Sequence, residues 1–184
     1  MSAGKYETAL DRNAANHQPL TPLLFLERAA QVYPDYPAVA HGAVKRDYAS
    51  LRNRCVQLAH ALTKRGIGRG DTVATILPNI PEMLECHYGV PMAGAVLNAI
   101  NTRLDAPTVA YILDHGEAKA VIVDREFMPV LRAARAECAA QPRVIDVQDA
   151  LAPVAVLGES LGWQEDYSVI CVGWADFGWR RPGV

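Results

Sequence analysis

The chain has 184 residues, of which 51% are hydrophobic and 21% charged, with a formal net charge of −2. That composition excludes a disordered chain and suits one globular domain, burying roughly 70% of its unfolded surface. The near-neutral charge gives no electrostatic reason to expect nucleic acid or an anionic membrane as a partner.

The polar opening, residues 1–18, reads as an extended arm and lacks the apolar core of a signal peptide. Thr21 is placed to cap a helix that starts at Pro22, with Leu23, Leu24, Leu26, Ala30 and Val32 on its apolar side, ending before Pro34. Residues 38–41 and 45–48 form two short strand patterns around Gly42, a hairpin signal. Ser50 then opens the clearest helix. Leu51, Cys55, Leu58, Ala59 and Leu62 recur on one face, Lys64 and Arg65 sit at the negative dipole end, and Gly66 stops it.

TVATIL, residues 72–77, is an apolar run of strand length. Asn79 and Pro81 start a helix reaching about Met92, with a kink expected at Pro91. Residues 95–100 read as a buried strand that delivers Asn98, Asn101, Thr102 and Arg103 towards its exit. Asp105 caps the next helix, which turns Val109, Ile112 and Leu113 inward and ends at Gly116. AVIV at 120–123 is a strand, 126–138 a helix with Phe127, Val130, Leu131 and Ala134 inward, and 143–147 another strand. Strands apolar on both faces alternate with amphipathic helices, which argues for an α/β fold with a largely parallel sheet covered on both sides. Regularity decays after residue 149, and the tail of 150–184 reads as irregular, with a possible strand at 167–172. The domain division that follows is an arm over 1–18, an α/β part over 19–149 and the tail.

Candidate chemistry is sparse. GIGRGD at 66–71 resembles a phosphate loop only superficially. A phosphate-gripping loop follows a strand and opens a helix, whereas these glycines follow a helix and precede a strand, as a C-cap and turn would. Cys86 and His87 are neighbours on a helix that also carries Glu82 and Glu85, but adjacent helical residues point about 100° apart, so a packed histidine is favoured over a Cys–His pair. Asp114–His115 suits a helix C-terminus, and Asp124–Arg125 is accounted for by Asp124 as a cap. Asn98, Asn101, Thr102 and Arg103 can bridge a strand end to neighbouring loops or line a channel mouth, and the bridging role is favoured because buried polar ends need partners in any case. The scattered Cys55, Cys86, Cys138 and Cys171 show neither a C-x-x-C pair nor zinc spacing, which suits reduced thiols in the cytoplasm. No apolar run reaches the ~18–20 residues of a membrane span. The residues themselves therefore nominate no catalytic, cofactor-binding or metal-binding set.

The stretches NHQPLTPLLFLERAAQVYP, RDYASLRNRCVQLAHAL, GIGRGDTVATILPNIPEMLECHYGVPMAGAVLNAINTRLDA and LDHGEAKAVIVDREF together resemble the amino-terminal region of adenylate-forming acyl-CoA synthetases, closest to the fatty-acid and plant-type acyl-activating ligases. The likeness runs from about residue 16 to 147 and corresponds to the opening third of such an enzyme. It implies a two-step ligase: a carboxylate attacks the α-phosphate of ATP, with magnesium assisting, and coenzyme A then displaces AMP to give a thioester. Such enzymes use a Ser/Thr/Gly-rich loop ending in lysine, a ribose-holding aspartate and a C-terminal lid with a catalytic lysine. None of these motifs occurs in the 184 residues, so no catalytic, cofactor-binding or metal residue is carried over. ADFGWRRP at 175–182 looks like the segment that precedes the phosphate loop, while WQEDYSVICVG departs from the family pattern in a way that suggests a frame disruption or a truncated gene. The expectation is an N-terminal fragment without ligase activity of its own, which self-associates through exposed apolar surface. The alternative is a non-enzymatic binding module, or a subunit completed by a separate chain.

Overall fold

The computed structural model describes residue 13 and residues 17–147. The arm's remaining positions and the tail, including the strand expected at 167–172, lie outside the described residues. Five α-helices and six strands follow in the order α1 (Pro22–Val32), β1 (Pro37–His41), β2 (Val44–Asp47), α2 (Tyr48–Lys64), β3 (Thr72–Ile76), α3 (Pro81–Met92), β4 (Val96–Ala99), α4 (Ala106–His115), β5 (Ala118–Asp124), α5 (Met128–Glu137) and β6 (Arg143–Val147). A single 3-10 turn, Arg125–Phe127, leads into α5.

Four strands form one parallel sheet in the order β4-β3-β5-β6, while β1 and β2 pair antiparallel as a separate hairpin. Alternate residues of each strand face opposite sides, so the sheet feeds two cores. Val73, Leu77, Ala120, Ile122, Ile145 and Val147 pack with Leu58, Leu62, Cys86 and Val90 of α2 and α3. Ala74, Ile76, Val121, Val123 and Val144 pack with Val109, Leu113, Leu131 and Ala134 of α4 and α5. The result is a three-layer α/β body, with the periodic face of α2 (Leu51, Cys55, Leu58, Ala59 and Leu62) buried as its spacing requires.

Several local expectations are corrected. Thr21 occupies the N-cap position of α1 but makes no side-chain bond there, and Val32 is 53% exposed because α1 buries only Leu26. Helix α2 opens two residues ahead of Ser50. Asp47 is its cap, accepting a 2.7 Å bond from the Ser50 N–H, so Tyr48 is helical and not part of β2. Asn79 does not cap α3, whose N-cap position is Ile80. Pro91 falls in the last turn of α3 without ending it; the helix runs on to Met92 and is closed by Gly94, at φ 81, with the Ala95 N–H donating to the Val90 carbonyl at 3.2 Å.

The largest correction concerns β4. It is the edge strand of the described sheet, with Val96 55% exposed and no residue from Val96 to Ala99 fully buried. Its apolar sequence suggested a strand covered on both faces, but only β3 flanks it among the described residues. The centre of the sheet belongs to β3 and β5.

Candidate functional site

The strand order has a reversal point. From β3 the chain passes to β4 on one side, then crosses back to β5 on the other, so the loops leaving β3 and β5 part towards opposite faces. In open α/β sheets ligands settle in the crevice outside the carboxyl ends of strands at such a reversal. Here the crevice is flanked by Pro78, Asn79 and Ile80 after β3, by Asp124 at the end of β5 and by Arg125 just beyond it. The same edge carries Asn101, Thr102 and Arg103 beyond β4 and Asp146 near the end of β6.

The geometry assigns these residues distinct parts. The Asp124 Oδ1 accepts from the Glu126 N–H at 2.9 Å, fixing the turn after β5 as the sequence suggested for a cap. The Arg125 Nε donates to Asp146 Oδ2 at 2.8 Å, tying the β5 exit to β6. Asp146 Oδ1 is buried and has no hydrogen-bond partner among the described residues. A buried acceptor of that kind ordinarily has a donor, from protein, water or ligand. Sequence reasoning missed Asp146, reading 143–147 only as an apolar strand; the signal was a carboxylate inside that strand.

The β4 exit is built differently. The Asn101 Oδ1 accepts from the Arg103 backbone N–H at 2.9 Å, an Asx turn that shapes the loop into α4. Asp105 then caps α4 through the Thr108 N–H at 3.1 Å. The Arg103 side chain is exposed. Asn98 lies lower in the strand, its amide nitrogen beside Gly116, so it does not join Asn101 and Arg103 at the edge. These polar residues therefore split between loop scaffolding and surface, and only Asn101 has a bond that shows its role.

The other candidates resolve as structure. Gly66, at φ 75, ends α2, and the Gly68 N–H donates to Asp71 Oδ2 at 2.9 Å, so GIGRGD forms a C-cap followed by a turn. Asp71 also meets Lys119 Nζ at 2.6 Å, which with the Gly68 bond holds its carboxyl below the usual range. The His87 Nδ1–H donates to the Met83 carbonyl at 2.8 Å, and His115 stacks on Tyr111 with ring centres 5.4 Å apart. Asp114 accepts from the Cys138 thiol at 2.9 Å and from the N–H groups of Ala139 and Ala140, a tie between α4 and the end of α5.

One cluster was invisible in the sequence. Glu85, 0% exposed, accepts from Arg46 Nη1 at 2.6 Å and Arg54 Nε at 2.5 Å. Glu82 lies 3.3 Å from Arg46 and 3.7 Å from Arg54. Two carboxylates and two guanidiniums thus join β2, α2 and α3. Burial, reinforced by Glu85, pushes the neighbouring Cys55 thiol up to about 12, and burial likewise raises Cys86. Cys55, Cys86 and Cys138 are free thiols inside the protein. No described helix is long and apolar enough to cross a membrane.

A doubly wound α/β body with its loops gathered at a strand-order reversal defines the class. The AMP-binding enzyme family matches residues 26–168, and the chain belongs to that family. Over 118 residues it is 52% identical to the peroxisomal acetate/butyrate–CoA ligase AAE7 of Arabidopsis thaliana and to the acetate–CoA ligase CCL3 of Humulus lupulus, matching 64% of this chain and 21% of each relative. Among solved structures, a Mycobacterium tuberculosis fatty acyl CoA synthetase superposes with a TM-score of 0.63 at 33% identity, covering 69% of this chain and 26% of that one. The anthranilate CoA ligase AuaEII, solved with anthranoyl-AMP, gives a TM-score of 0.65 at 25% identity, covering 67% of this chain and 24% of that one. The chain spans about a fifth of the length of the curated relatives it matches, less than the third the resemblance implied.

Proposed function

We propose that residues 19–149 supply part of the α/β body of an ATP-dependent acyl-CoA synthetase acting on a small carboxylic acid, and that a polypeptide of these 184 residues does not complete the reaction unaided. The reading is carried by one observation: 52% identity to two acyl-CoA ligases falls on a stretch that folds into a sheet with an open reversal-point crevice. Some of the relatives are named for acetate, butyrate or 2-methylpropanoate and another for benzoate, which favours a small acid over a long fatty acid.

The chemistry joins a carboxylate to the α-phosphate of ATP and then passes the acyl group to the coenzyme A thiol. Both steps require two anions held in line and donors aimed at the charge developing on phosphorus. The described residues supply walls and fixed loops for such a site: the β3 exit at Asn79, the Asx turn at Asn101, and the Arg125–Asp146 tie. They do not supply a phosphate cage. Among the described residues no group of three or more His, Cys, Asp or Glu side chains is placed to hold a metal ion, so no step is routed through magnesium here. Losing a single preorganised donor commonly lowers a rate ~10²–10³-fold, and here a whole cage must come from outside these residues.

The cytoplasm is the proposed location, on the strength of three unbridged buried thiols; relatives named as peroxisomal define the competing outcome, which a fluorescent fusion reads directly. Self-association belongs to the same proposal, through exposed Phe25, Tyr36 and Val96, and sedimentation over a range of concentrations measures it.

A chimera tests the central reading. The matched 118-residue stretch of the hop acetate–CoA ligase is replaced by this chain's residues, and acetyl-CoA formation is measured. A folded chimera that retains ligase activity supports the reading, and a folded but inactive one refutes it. Pyrophosphate release by the 184-residue polypeptide with ATP and acetate would overturn the claim that it needs further parts. A standalone binding module, the competing reading, predicts a folded, inactive chimera.

A further inference from the structure

The hairpin stands apart from the rest of the molecule. It shares no ladder with the four-stranded sheet, and no residue in β1 or β2 is fully buried. It nevertheless covers something. Ala38 and Val39 pack on the buried cluster of Leu26, Leu51 and Cys55, and Cys55 is 0% exposed. Its base is fixed by backbone bonds from Tyr48 N–H to the Tyr36 carbonyl and from Ala49 N–H to the Pro34 carbonyl, each 3.1 Å. Beyond that base, Arg46 ties the hairpin to the body, its fork reaching Glu85 at 2.6 Å and Glu82 at 3.3 Å on α3.

We propose that the β1–β2 hairpin is a flap over Cys55, latched to α3 by Arg46 on the Glu82–Glu85 pair, and that it opens as a unit while the four-stranded sheet stays folded. A layer with few buried groups and no shared ladder is the kind of segment that opens locally, ahead of global unfolding. The latch is directional, because a guanidinium fork engages carboxylates in a fixed geometry. It is also releasable. Removing one partner of a buried ion pair normally strands an uncompensated charge, but here Arg54 still holds Glu85 at 2.5 Å after Arg46 departs. Opening has a consequence beside the β3 exit loop. A cavity of about 820 Å³ lies elsewhere, at the amino ends of the strands, but a smaller one of about 350 Å³ lies between Ala38–His41 and Asn79–Leu84. The flap therefore forms the far wall of the space behind the β3 exit loop.

The test uses the 184-residue chain, with iodoacetamide labelling of cysteines located by peptide mass mapping, alongside amide hydrogen exchange. In R46M, Cys55 labelling and exchange across residues 37–47 rise tenfold or more, while Cys86 and the amides of β3 and β5 keep their rates. R46K, which keeps the charge but loses the fork, gives a smaller rise at the same positions and decides the matter if R46M does not fold. R54M, which cuts the other arm, shows no selective rise in the hairpin. Unchanged Cys55 and hairpin rates in R46M, or a common acceleration of Cys55, Cys86 and the sheet, would overturn the proposal.

Discussion

Strands β5 and β4 look alike on paper and behave differently in the fold. Both are short and apolar, both run parallel to β3, and both deliver polar residues to the carboxyl edge of the sheet. Yet every residue of β5 except Lys119 is buried, whereas Val96 and Ala99 of β4 are exposed. Apolar composition qualifies a segment to be a strand. Its place in the strand order decides how much of that apolar surface leaves water, and hence how much it stabilises the fold.

The sharpest way to break the comparison is to put a carboxylate in each strand. Ile122→Asp buries a charge at a site that is 0% exposed, between the ladders to β3 and β6, and is expected to abolish cooperative unfolding in a urea melt followed by circular dichroism. Val96→Asp, at a site 55% exposed, should change stability by less than about 0.5 kcal/mol. Equal effects from the two would mean that β4 is as enclosed as β5.

The next contrast compares two glycines. A Cβ at Gly89 would meet Leu58 Cδ2 at 2.8 Å and the Cys55 carbonyl at 2.9 Å, where α2 and α3 cross under the sheet. Gly89→Ala should cost about 1–3 kcal/mol, because neither backbone nor packed core can give way freely. A Cβ at Gly116 would meet the Asn98 amide and the Ile112 carbonyl at 3.0 Å, tight but less close than the contacts at Gly89. Gly116→Ala should cost less than about 1 kcal/mol, since alanine also restricts the unfolded chain. Denaturant midpoints for the two variants give the ratio.

The smallest expected effect is in pH. Hydrogen bonds from Thr108 hold the Asp105 carboxyl below its usual range, and the Cys138 thiol followed by the Ala140 and Ala139 amides does the same for Asp114. A carboxyl lowered in the folded state stabilises fully above its unfolded value, near 4, and loses that contribution as pH falls through the folded value. The thermal midpoint should therefore be flat from about pH 7 to 5 and decline below about 4. Asp105→Asn keeps a cap acceptor without the titration, so its decline should be shallower. A midpoint that rises on acidification contradicts the assignment.

Much of this is legible in the sequence alone. The alternation of strands and helices, the inward face of α2 and the Asp105 and Asp124 caps follow from local periodicity and capping chemistry, which act over a few residues. What was illegible depends on distant neighbours. The partners of Glu85 lie 39 and 31 residues away, so its role cannot be read from the Cys86 and His87 beside it. The edge position of β4 depends on β5 arriving on the far side of β3, and the part of Asp146 in the site depends on where Arg125 is carried by the turn after β5. Asp47 displaced Ser50 as the cap because a hairpin strand ends there and hands its last residue directly to a helix.

Strand β3 comes first in the sheet by chain position and ends up interior to it, flanked by β4 and β5. During synthesis it leaves the ribosome before any of its partners, carrying Val73, Ala74 and Ile76, all destined for burial. Helix α2 has already emerged by then and offers Leu58 and Leu62 as temporary shelter for one side. The other side waits until α4 and β5 have been made. That interval is the vulnerable moment in the life of the nascent chain, when a protease or a chaperone would find it first.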